Sequence, residues 1–189
     1  MNQSLIARGS ILDVAKAGDA ALALLDVKLV LLCDRSSAMI TPDAYGGKMR
    51  YAAEDEVIQR LQAQYPGQIA LIAFGSDAQM CLGGILPIPG GTTDMVAALD
   101  LASPFMDAGT KAVLISDGEP NDEIETLECA RKLRGKLECV YVGPEGGPGH
   151  EFMKRLAREA GGNLASGDLT KDTSLLETGL MQLLLRAGK

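Results

Sequence analysis

Residues 27–33 read Val-Lys-Leu-Val-Leu-Leu-Cys, apolar except for Lys28, and the run stops at Asp34 with Ser36 and Ser37 just behind it. It is far shorter than the ~20 residues of a membrane span. Its β-branched and aliphatic content suits a strand buried on both faces. Such a strand belongs at the centre of a parallel sheet, and its carboxyl end is the edge where open α/β sheets bind ligands. A carboxylate and two hydroxyls therefore stand where a ligand would be met.

The rest of the chain supports that placement. Residues 68–74 form a second buried strand. Residues 79–85 are weaker, and Gly83 and Gly84 mark them as an edge strand antiparallel to the second. Residues 111–116, 137–142 and a short 163–166 supply three more. Helical spacing of apolar residues predicts helices from Lys48 to Pro66 (Met49, Ala53, Val57, Ile58 and Leu61 inward) and from Asp94 past Met106. Further helices follow from about Asn121 to Gly135 (Ile124, Leu127, Ala130 and Leu133 inward), over 151–160 and over 172–186. The alternation implies an α/β fold: a doubly wound, mostly parallel six-stranded sheet with one antiparallel edge strand and helices on both faces. Residues 1–25 read as an N-terminal helical extension of one or two short helices, and 26–189 as a single domain.

Composition narrows the function classes. Aromatic residues make up 4% of the 189, with no Trp, which argues against a nucleic-acid stacking platform. A net charge of −7 argues against phosphate-backbone binding, so no nucleic-acid partner is expected. Cys33, Cys81, Cys129 and Cys139 form no Cys-x-x-Cys pair and read as reduced thiols of a cytoplasmic protein. With no leader and no membrane-length apolar run, a soluble, intracellular chain is expected. The sequence has no Gly-x-Ser-x-Gly elbow, no phosphate loop, no dinucleotide fingerprint and no Asp-x-Asp, and it has one histidine, His150. A nucleophile lacks its activator, so the expected protein is not an enzyme. Asp43, Asp77, Glu119 and Asp122 read as solvated loop charges, and Met49, Met95, Met106 and Met153 as packing.

Three loops carry oxygen ligands: Asp34-Arg35-Ser36, Thr92-Thr93-Asp94 and Asp117-Gly118. In a doubly wound sheet the first and third are neighbours at the switch point. Two carboxylates with hydroxyls, and no His or Cys, make a hard site suited to Mg²⁺, or to Mn²⁺ or Ca²⁺. The alternative for Asp34, Thr92, Thr93 and Asp94 is helix or turn capping.

In order and spacing these segments resemble the von Willebrand factor type A (VWA) domain. Its metal ion-dependent adhesion site (MIDAS) runs Asp-x-Ser-x-Ser, then Thr, then Asp followed by Gly. Here Asp34-Arg35-Ser36-Ser37-Ala38 is followed by Gly90-Gly91-Thr92 and then Ser116-Asp117-Gly118-Glu119-Pro120. The resemblance implies Ser36 and Thr92 as direct ligands, with Thr93 as the alternative to Thr92, and Asp34 and Asp117 holding the metal mostly through water. It implies Mg²⁺ as cofactor and a non-catalytic protein–protein interaction module that completes the ion's coordination with an acidic residue of a partner. Stand-alone microbial members suggest a MoxR-type AAA+ ATPase or another subunit of a complex as that partner. The family's second Ser falls at Ala38, which has no oxygen to give, so the resemblance implies weakened metal affinity in a partly degenerate site. Two alternatives stay open, a metal-free adaptor or structural subunit and a metal-dependent hydrolase.

Overall fold

The computed structural model describes residues 6–15, 19, 23–107, 109–172 and 174–186, the last four by backbone alone. Six strands form one sheet: β1 (Leu29–Asp34), β2 (Ile69–Phe74), β3 (Ala78–Met80), β4 (Lys111–Ser116), β5 (Leu137–Tyr141) and β6 (Leu164–Ser166). They lie in the order β3-β2-β1-β4-β5-β6, all parallel except β3, which runs antiparallel on β2. The helices are α1 (Ile11–Val14), α2 (Arg50–Gln64), α3 (Met95–Asp107), α4 (Glu123–Lys132), α5 (Pro148–Glu159) and α6 (Ser174–Arg186).

Side chains alternate across a strand, so each strand feeds two cores. Val30, Leu32, Ile72 and Leu114 meet Met95 and Leu99 of α3, Leu127 of α4 and Phe152 and Leu156 of α5. Leu31, Cys33, Leu71, Val113 and Ile115 meet Ala53, Val57, Ile58 and Leu61 of α2 and Leu176 and Leu180 of α6. Every residue of β1 and β2 is buried for that reason, which is the physical origin of their unbroken apolar runs. The sheet, its one antiparallel edge and its two helical layers are as the sequence implies.

Some boundaries differ. Asp122 accepts the Glu125 backbone N–H at 2.9 Å, so α4 starts after it and Ile124 turns outward, 73% exposed. Met49 is the residue before α2, and it is 39% exposed instead of packed. The strand expected over 79–85 runs only from Ala78 to Met80, with one further bond from the Cys81 N–H to Leu71 O at 2.8 Å, because the chain turns at Leu82 and Gly83. Helix α5 begins at Pro148, a good first helical residue, and so takes in His150, which packs its ring 5.0 Å from that of Tyr141. In the N-terminal segment, Ile11 is buried in the α3 core, and Ala7 and Leu12 donate backbone hydrogen bonds to Gly83 and Leu82. Leu183 and Leu184, expected on the inner face of the last helix, lie outside the described side chains.

Candidate functional site

The rim is built on the carboxyl ends of β1 and β4, adjacent parallel strands in which Cys33 pairs with Ile115, so that Asp34 and Ser116 come side by side. Asp34 is buried and both its carboxylate oxygens accept: Oδ1 from the Ser36 N–H at 2.7 Å and Oδ2 from the Ser116 hydroxyl at 2.6 Å. Ser116 Oγ in turn accepts the Gly118 N–H at 2.9 Å. One buried carboxylate thus ties the two loops together. Burial pushes the Asp34 carboxyl up, and the Ser116 and Ser36 hydrogen bonds pull it back.

Arg35 locks the same loop from the other side. Its N–H donates to Phe74 O at 2.6 Å and its carbonyl accepts from Gly90 N at 2.8 Å. Its guanidinium, almost wholly buried, reaches down to α2, where it pairs with Asp55 and lies 3.5 Å from the buried Glu54. Burial raises the Glu54 carboxyl to about 8, against the pull of Arg35.

Ser36 is buried and its hydroxyl has no partner. Ser37, whose hydroxyl stands next to Ala38 in the chain, is committed elsewhere: its hydroxyl and N–H both donate to Gly91 O, at 2.9 and 3.1 Å. Of the two threonines, Thr92 is exposed, with Oγ1 accepting from Asn121 Nδ2 at 3.2 Å and 3.4 Å from Ser76 Oγ. Thr93 is 7% exposed; its N–H donates to Asn121 Oδ1 at 2.9 Å and its carbonyl accepts the Asn121 N–H at 2.9 Å. Asn121 therefore clamps the Thr92–Thr93 loop to the loop after β4. The cap of α3 is Asp94, which accepts the Ala97 N–H at 3.0 Å, so neither threonine hydroxyl is needed for it.

Asp117 is buried at the end of β4. Its Oδ2 accepts from Arg50 Nη1 at 2.9 Å, while Oδ1 has no partner. Arg50, the first residue of α2, also donates from Nε and Nη2 to Asp43, at 2.8 and 2.6 Å. Asp43 is thus an ion-pair partner instead of a solvated loop charge. Burial, with the nearby charge of Asp34, raises the Asp117 carboxyl to about 6 against the opposing pull of Arg50.

Asp34, the Ser36 N–H and Ser116 thus share one hydrogen-bonded network that reaches the Asp117 loop through Gly118 N–H, while Asp117 itself pairs with Arg50, Thr93 is tied to Asn121 and Thr92 is turned to the surface. Ser116, Asn121, Arg50 and Asp43 are the members that reading the sequence missed. Ser116 had a signal, standing next to Asp117 at the last position of its strand; Arg50 had none, since its bond to Asp117 spans 67 residues, and Asp43 enters the site only through Arg50.

The donor set fits a hard cation. It is all oxygen, and two of its buried oxygens, Ser36 Oγ and Asp117 Oδ1, lack partners, although most buried polar atoms are satisfied. Among the described residues no three His, Cys, Asp or Glu side chains gather to hold a metal, so any ion here would depend on the hydroxyls. Nor is any described helix long and apolar enough to cross a membrane.

No protein-family model and no curated protein sequence matches the chain. Among solved structures, a von Willebrand factor type A protein from Catenulispora acidiphila superposes with a TM-score of 0.54 and 18% identity, over 80% of this chain and 41% of that one. The chain thus spans under half the length of this neighbour, and at that identity the likeness is one of architecture: the molecule has a VWA-type, Rossmann-like fold.

Proposed function

We propose that this chain is a non-catalytic protein-interaction module whose sheet rim takes a divalent cation, Mg²⁺ by the hardness of its donors, and uses it to engage an acidic residue of a partner protein. The observation that carries the reading is the pair of unpartnered buried oxygens, Ser36 Oγ and Asp117 Oδ1, on adjacent strand ends. Ser36 and the buried Thr93, or Thr92 in its place, would give hydroxyl oxygens, and Asp34 and Asp117 would hold bound water. The ion would supply a positive centre with an open position for a carboxylate. The protein's own residues keep the donors in place: Ser116 orients Asp34, Asn121 fixes the threonine loop, and Arg35 pins the Asp34–Ser36 turn between three segments. A cytoplasmic setting and a partner such as a MoxR-type AAA+ ATPase remain part of the proposal, by analogy of fold.

Calorimetric titration of Mg²⁺ and Mn²⁺ into the wild type, Ser36→Ala and Asp117→Ala tests the reading. Saturable binding by the wild type, weakened in both variants, is expected; flat traces in all three would refute it. A second reading, the metal-free adaptor, draws on Arg50, whose guanidinium already supplies Asp117 with a positive charge.

A further inference from the structure

We propose that Arg50 is a resident cation of the rim, competing with the divalent ion for Asp117 and setting how tightly that ion is held. The proposal rests on the reading of the rim as a cation site and adds a residue that the metal-site pattern does not contain. Arg50 Nη1 donates to Asp117 Oδ2 at 2.9 Å, and Nε and Nη2 donate to the two oxygens of Asp43 at 2.8 and 2.6 Å. The guanidinium is therefore braced between two carboxylates from different loops. Its side chain is 10% exposed, too enclosed to meet a partner's carboxylate itself, so its charge acts inward on the site.

Two consequences follow from charge and geometry. An ion bound through Asp117 Oδ1 and a guanidinium on Oδ2 would share one carboxylate, and like charges so close in a largely buried site repel by more than a factor of ten in affinity. Asp43 offsets part of that repulsion and gives Arg50 somewhere to remain when Asp117 is drawn toward the ion. The first residue of α2 thus links the state of the rim to a helix that also carries Glu54 and Asp55 beneath Arg35.

The test is calorimetric titration with MnCl₂ of the full chain as wild type and as Arg50→Met, which keeps the aliphatic stem and removes the charge. Thermal melts of both proteins in chelator and in excess Mn²⁺ accompany it. Arg50→Met is expected to bind Mn²⁺ about tenfold or more tightly than the wild type. In chelator it should melt below the wild type, because Asp117 is left buried without a partner, and it should gain more from added Mn²⁺. Equal or weaker affinity with wild-type binding intact would overturn this inference alone. A silent wild type with a binding Arg50→Met would support it while refuting the metal-bridged reading, and silence in both would refute both. Should Arg50→Met fail to fold, Asp43→Asn decides the matter. It confines Arg50 to Asp117 and is expected to weaken Mn²⁺ binding severalfold; unchanged or tighter binding would overturn the inference.

Discussion

Asp34 is enclosed by the fold yet remains a working acceptor, because donors from its own turn and from the neighbouring strand fill both its oxygens. Deleting the Ser116 hydroxyl with Ser116→Ala strips one donor from a buried carboxylate. The expected cost is about 1–3 kcal/mol, read as a lower urea midpoint; an unchanged midpoint would mean that Asp34 is satisfied some other way. Glu54 gives the residue scale a second handle. Its carboxyl lies at about 8 in the fold against 4.5 in a model peptide, so between those values the folded chain holds a proton that the unfolded chain has released. Stability from this group is complete below 4.5 and lost as pH rises through about 8. Asp117, raised from 3.8 to about 6, acts in the same direction at lower pH. In chelator, urea unfolding of the wild type should therefore show falling stability from about pH 5 to about pH 9, and Glu54→Gln should flatten the upper part of that decline. A decline undiminished in Glu54→Gln would contradict the assignment.

Two elements meet at the rim backbone to backbone. Gly118, at φ +82°, and Gly149, in the first turn of α5, approach so closely that a Cβ on Gly149 would lie 2.1 Å from Asp117 O and one on Gly118 would lie 2.2 Å from Gly149 O. The helix therefore buttresses the loop that aims Asp117. Gly149→Ala should push that loop off its helix and cost about 1–3 kcal/mol of stability, with a parallel loss of cation binding in the calorimeter; a variant as stable as the wild type would remove the buttress from the account. Elements of this kind were legible in the sequence to different degrees. The strands could be read because burial on both faces leaves apolar runs, and β4 was placed residue for residue at 111–116. Helix starts were less legible: Asp122 as a cap moved α4 inward and put Ile124 in solvent. On α2, the buried polar residues Arg50 and Glu54 stand among apolar ones, and a pattern of apolar spacing cannot show them. Asp34, Ser36 and Asp117 could be picked out because they stand at or within two residues of strand ends. The partners that orient them, 67 and 82 residues away in the case of Arg50–Asp117 and Ser116–Asp34, depend on tertiary contacts no local pattern records.

At the scale of the molecule, strand order decides where function can sit. With β1 and β4 adjacent and parallel at the centre, and helices α2 and α4 that follow them packed on opposite faces, their carboxyl ends form the switch point at which open α/β sheets bind ligands. Both faces of the sheet are covered by helices, so the rim is the place where buried polar groups and surface meet. The overall charge of −7 is compatible with attraction of a cation to that rim and opposes casual contact with acidic surfaces; a partner's carboxylate would then be admitted only through the ion. The most direct test is a crystal structure of the chain grown or soaked with Mn²⁺ and measured for anomalous scattering. One anomalous peak is expected at the carboxyl ends of β1 and β4, contacted by Ser36 Oγ and linked to Asp117 Oδ1 directly or through water. Crystals saturated with Mn²⁺ that show no peak there, with Arg50 still seated on Asp117, would contradict the reading of the rim as a cation site.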